Sequence, residues 1–102
     1  MLASSYSPSD SGGGLACTGR SFTGYYGWTV REVASFSLPC FTKVRLYVRG
    51  HRPVIATVLD RGPAPWTGRS LDISVGAVRA MGFNSAIAFG VRPVQVTVLR
   101  RR

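Results

Sequence analysis

The sequence predicts an all-β protein, and three observations carry that prediction. Apolar and polar residues alternate over short runs: between Thr42 and Arg49, Val44, Leu46 and Val48 share one face while Lys43, Arg45, Tyr47 and Arg49 share the other. Such runs are separated by turn-forming clusters, with 12 Gly and 6 Pro in 102 residues. Only Ser74 to Met81 carries convincing helical spacing. A chain of this length holds one hydrophobic core, so residues 1–102 are read as a single domain.

Taken in order, Ala3 to Tyr6 reads as a first short strand, and residues 7–14, rich in Ser and Gly, as a flexible loop. Residues 15–43 are irregular, with a strand expected around Thr29 to Val33 and a Leu38-Pro39 step that disfavours helix. The alternating strand from Thr42 to Arg49 turns at Gly50-His51-Arg52-Pro53 into a more deeply buried one, Val54 to Leu59, and the two read as a hairpin. Ser74 is a fair N-cap for the helix, Val75, Val78 and Met81 share one face of it, and Gly82 is placed to end it. Val94, Val96 and Val98 alternate in a closing strand, before the basic tail Arg100-Arg101-Arg102. Several short strands with one helix suggest a small closed barrel, which leaves few exposed edges.

Charge narrows the partners without choosing one. Twelve Arg and one Lys against Asp10, Glu32, Asp60 and Asp72 leave a formal charge of +9, suited to an anionic polymer or an acidic protein neighbour. Nucleic acid is disfavoured, because neither a groove-reading helix nor a stacking motif accompanies the charge. No stretch approaches the roughly 20 apolar residues that cross a bilayer, and Met1-Leu2-Ala3 lacks a signal peptide's charged and apolar regions; either none is used or a leader has been removed. Cys17, Cys40 and the distant His51 do not form a metal-ligand set, and the bare triplet Gly12-Gly13-Gly14 lacks the lysine of a phosphate loop, so neither metal nor cofactor is expected. The two cysteines are either buried thiols or a bridge. By loop length a bridge would stabilise the fold by roughly 3 kcal/mol. Ser4, Ser5 and Ser35 have no identifiable His/Asp partner for hydrolase chemistry, and His51 reads as a surface residue between Arg49 and Arg52.

The stretch VLDRGPAPWTGRSLDIS, residues 58–74, holds the candidates for chemistry. Asp60 ends an apolar run just before Arg61-Gly62-Pro63, a rim position that suits a working carboxylate but equally suits one that holds a turn or pairs with Arg61. Asp72 stands two residues before Ser74, where the positive end of the helix dipole favours a carboxylate. Trp66, on the loop between them, can stack on a sugar ring or plug the loop into the barrel.

Ala3-Ser4-Ser5-Tyr6, Leu15-Ala16-Cys17-Thr18-Gly19, Val33 through Cys40, Asp60-Arg61-Gly62-Pro63 and Gly68 through Ser74, in this order and spacing, resemble the RlpA-like double-psi β-barrel family, in its two-cysteine actinobacterial and phage form. The resemblance covers nearly the whole chain. It implies a six-stranded double-psi barrel with one short helix and a groove for peptidoglycan glycan strands, with Asp60 and Asp72 as catalytic candidates and Tyr6, Trp66, Arg61 and Ser35 as glycan-binding ones. It also favours a Cys17–Cys40 bridge, and a location in a virion, such as a phage tail among other virion subunits, or at the cell envelope. Lytic transglycosylase members carry a histidine three residues before a Leu-Pro step, where this chain has Ser35, and a glycine where it has Phe41. Cleavage needs a group that protonates the departing oxygen and a base for the sugar hydroxyl, and a serine alone supplies neither. The resemblance therefore implies a glycan-binding or structural module first and a lytic transglycosylase second.

Overall fold

A computed structural model of the protein describes residues 1–6, 15–18 and 30–100, so the expected loop at 7–14 and the end of the basic tail lie outside the described residues. Among these residues the fold is mainly β, with seven strands: β1 (Leu2–Tyr6), β2 (Glu32–Ala34), β3 (Lys43–Tyr47), β4 (Val54–Asp60), β5 (Leu71–Ser74), β6 (Arg92–Pro93) and β7 (Gln95–Arg100). They form one sheet in the order β6-β1-β5-β2-β4-β3-β7. β1 runs parallel to β5, β2 parallel to β4, and the other pairings are antiparallel. The strands at the two ends of that order are neighbours in sequence, separated by Val94 alone, whose N–H donates to Met1 O at 2.7 Å and whose carbonyl accepts from the Met1 amine at 2.8 Å.

The side chains beneath the sheet explain the alternation in the sequence. Ala3, Val33, Val44, Leu46, Val58, Leu71 and Ile73 pack into one buried cluster, closed from one side by Val75, Val78 and Met81 of helix α1 (Val75–Met81). The hairpin of β3 and β4 pairs as the pattern predicts, Leu46 opposite Val54 and Val44 opposite Ala56. β4 is less buried than expected, because Ile55 points outward and is 57% exposed. The closing strand is likewise buried at Val94, half-buried at Val96 and exposed at Val98.

Helix α1 has the caps its sequence predicts. Ser74 Oγ accepts from the Ala77 N–H, and Gly82, at φ 115°, ends the helix with its N–H on Arg79 O. A second helix, α2 (Ala86–Phe89), corrects the expectation of a single one; it is capped by Ser85 and buries Phe89. A 3₁₀ turn covers Pro65–Thr67. His51 is not a plain surface residue: it is half-buried and stacks on Phe83, with ring centroids 4.0 Å apart. Cys17 and Cys40 form the expected disulfide, Cα atoms 5.6 Å apart. No helix among the described residues is long and apolar enough to cross a membrane.

Candidate functional site

Asp60 and Asp72 come together because of how four strands are registered. Ser4 of β1 pairs with Asp72 of β5, Asp72 with Ala34 of β2, and Ala34 with Asp60 of β4. Residues paired across a sheet point to the same side, so these four form a row across the strands, with the small Ala34 as the floor between the two carboxylates. Two strand spacings set the backbones of Asp60 and Asp72 roughly 10 Å apart. Asp72 therefore belongs to a strand, and the helix begins three residues later. That corrects the picture of Asp72 at a helix entrance.

Asp60 reaches this side of the sheet through an irregularity. Val33 pairs with Val58, but the next residue, Ala34, pairs with Asp60, so Leu59 is an extra residue in β4. Without it Asp60 would follow strict alternation to the opposite face; such insertions commonly re-aim a side chain. Leu59 is held in place by a small apolar cluster with Leu15, against which Tyr6, Val30 and Phe41 pack, and its carbonyl accepts the Cys17 N–H at 3.0 Å. Phe41 sits at φ 69°, the left-handed backbone expected of the glycine it replaces.

The result is an open groove of about 430 Å³ lined by Ser4, Ser5, Tyr6, Ala34, Asp60, Arg61, Arg69 and Asp72. Each aspartate has one oxygen committed to the fold. Asp60 Oδ1 accepts the N–H groups of Ala16 and Arg61, both at 2.9 Å, and Asp72 Oδ1 accepts the Ser4 hydroxyl, which in turn accepts Arg69 Nη1 at 2.8 Å. The second oxygen of each has no hydrogen-bond partner among the described residues. Asp60 thus does both things the sequence left open, holding its turn with one oxygen while its side chain lines the groove.

The other predicted residues divide. Tyr6 and Arg61 line the groove, and Arg61 meets the Asp60 side chain through its backbone N–H, not through its guanidinium. Its guanidinium donates to Ser35 O and Leu38 O, and to Cys40 Sγ at 3.1 Å, fastening the turn before the disulfide. Ser35 is fully buried and outside the groove lining, its Oγ accepting from the N–H groups of Ser37 (3.2 Å) and Leu38 (3.1 Å). It caps a turn where a histidine would reach out. Trp66 is 88% exposed on the 3₁₀ turn, so it does not plug its loop into the core, and it is not among the residues that line the groove.

Glu32 is the residue sequence reasoning missed. It is fully buried, on the same face as Ala34; its N–H donates to Ser74 Oγ at 3.0 Å and its Oε1 accepts the Tyr6 hydroxyl, while Oε2 has no partner among the described residues. Burial, and then the negative charges of Asp60 and Asp72, disfavour its ionised form and push its pKa up to about 8. At neutral pH it is a protonated acid linked to the groove through Tyr6. The available signal was weak: one acid beside Val33 in a three-residue strand, with nothing local to show that the outer face is covered there.

Fold and site together define a mainly β protein with a polar groove lined by two carboxylates. No family model matches the sequence. Over 66 residues, 64% of the chain, it is 44% identical to the probable endolytic peptidoglycan transglycosylase RlpA of Nostoc sp. (strain PCC 7120), and the match spans 17% of that protein's length. This similarity supports an RlpA-like family.

Proposed function

We propose that residues 1–102 form an RlpA-like double-psi barrel domain whose groove holds a glycan strand of peptidoglycan. Support for the barrel comes from the sheet order, which starts and ends on adjacent stretches of chain, as a six-stranded closed sheet would require with β6 and β7 counted as one interrupted strand. The observation that carries the function is the row Ser4–Asp72–Ala34–Asp60, with a carboxylate on either side of a small floor residue. Such a groove offers acceptors for sugar hydroxyls, with Arg61 and Arg69 at its margin. The relative's name points to peptidoglycan as the glycan. Binding outweighs cleavage in this reading, because Ser35 is committed to its turn and offers no second acid or base. Location at the cell envelope, or in a wall-penetrating assembly such as a phage tail, follows from the same reading.

A second reading, lytic cleavage, is favoured by one specific observation: Asp60 lines the groove and keeps one carboxylate oxygen without a partner among the described residues. One experiment separates the two. Purified sacculi are incubated with wild type and with Asp60→Asn, and both pull-down and release of anhydromuropeptides are measured. The binding reading expects pull-down without release for the wild type. Release that drops at least a hundredfold in the variant, the range of a lost acid–base group, establishes cleavage instead. Absence of wild-type pull-down removes both readings.

A further inference from the structure

Beyond Arg69 the surface dips again. A second pocket, of about 210 Å³, is lined by Phe36, Ser37, Pro63, Arg69 and Ser70. Arg69 is common to both concavities, so its side chain is the divide between the carboxylate groove and this neighbour. A single exposed apolar side chain is ordinary on a protein surface. Phe36 differs in two respects: it is 59% exposed at the margin of a concavity that shares Arg69 with the groove, and the turn that carries it is fixed by side-chain hydrogen bonds.

Two side chains hold that turn. Ser35 Oγ accepts the N–H groups of Ser37 and Leu38, the two residues after Phe36, and Arg61 Nη1 donates to the carbonyls of both Ser35 and Leu38. An aromatic ring on a fixed turn loses little freedom when a ligand covers it, and that preorganisation favours binding. Arg69 Nη1 donates to Ser4 Oγ, which fixes the guanidinium between the two concavities.

We propose that the Phe36–Arg69 pocket is a second sugar subsite, receiving the next hexosamine of a strand that lies in the carboxylate groove. The apolar face of the ring rests on Phe36, and a carboxylate substituent of the strand, on a lactyl group or stem peptide, is held by Arg69. This inference rests on the glycan-strand reading. Its chemistry is that of an amphipathic ring with one acidic arm, which an exposed phenyl beside a guanidinium matches.

Calorimetric titration with a peptidoglycan-derived disaccharide, the corresponding tetrasaccharide and a neutral N-acetylglucosamine tetramer tests it on wild type, Phe36→Ala, Phe36→Trp and Arg69→Gln. Wild type gains about tenfold in affinity on lengthening from disaccharide to tetrasaccharide. Phe36→Ala loses that gain while leaving disaccharide affinity unchanged, and Phe36→Trp keeps it. Arg69→Gln narrows the preference for the acidic over the neutral tetramer. Unchanged tetrasaccharide binding by Phe36→Ala, or an equal fall for both lengths, overturns the subsite while the groove reading stands. If the wild type binds none of the three sugars, the groove reading fails and the subsite fails with it.

Discussion

A carboxylic acid shut away from water keeps its proton, because the anion would surrender its hydration with no cation to replace it. Glu32 is in that position, and the nearby Asp60 and Asp72 reinforce the effect, so that it titrates at about 8 in place of 4.5. In the unfolded chain the same group ionises near its ordinary value. Between those two values the folded state holds a proton that the unfolded state has released. The contribution of Glu32 is therefore most favourable below pH 4.5 and is lost as pH climbs through about 8. Across that window the loss approaches about 1.4 kcal/mol per pH unit. Glu32→Gln keeps the shape and the neutrality and should abolish this slope, leaving the variant progressively more stable than wild type as pH rises. Urea unfolding of both proteins from pH 5 to 8.5 measures the difference; a gap that stays constant with pH would mean that Glu32 is ionised in the fold.

Ser74 shows how one residue can join three elements. Its Oγ accepts from Ala77 N–H at the start of α1 (3.3 Å) and from Glu32 N–H in β2 (3.0 Å), and donates to Val30 O at 2.7 Å. Ser74→Ala should cost about 1 kcal/mol for the lost cap and about 1–3 kcal/mol more for the Glu32 N–H left buried and unpaired. Thermal and urea melts giving a loss below about 0.5 kcal/mol would show that water replaces the hydroxyl. The capping half of this was legible in the sequence, since Ser74, the Val75/Val78/Met81 face and Gly82 are all local signals. The strand Leu71–Ser74 was not, because four residues that run straight into a helix complete only two alternations and look like the helix's approach. Helix α2 has four residues, too few for a periodic stripe. Asp60 could be placed at a strand end from its neighbours, yet the side it faces depends on the extra Leu59, and that is decided by Leu15 and Cys17, more than forty residues away. The groove's two ends were therefore visible as residue types, while the row that unites them is a product of non-local register.

Among the described strands, the acids lie on β2, β4 and β5 while Lys43, Arg45 and Arg100 lie on β3 and β7. Three of the four acids, Glu32, Asp60 and Asp72, lie on β2, β4 and β5 around the groove. Continuing from Glu32 across the strands, the register passes through Thr57 to Lys43 and then to Arg100, so two cations stand directly opposite each other on β3 and β7. Arg45 is stacked beside them on Tyr47, 5.6 Å from the ring centroid, and its cross-strand neighbours Ile55 and Thr97 carry no charge. Like charges held this close repel unless an anion bridges them, so a surface polymer rich in phosphate or carboxylate is expected to favour β3 and β7, apart from the groove proposed for glycan. Such attraction between exposed charges weakens as the screening length shrinks, from about 10 Å at 0.1 M salt to about 3 Å at 1 M. Adsorption to sacculi that keep their anionic polymers should therefore fall roughly tenfold between 0.05 and 0.5 M salt, and adsorption to acid-stripped sacculi should change less than about twofold. The double variant Lys43→Gln/Arg45→Gln should bind untreated sacculi as weakly and as salt-insensitively as wild type binds stripped ones. An undiminished salt response in that variant would move the contact to other arginines, and an equal response on stripped sacculi would place the charged ligand on the glycan strand itself.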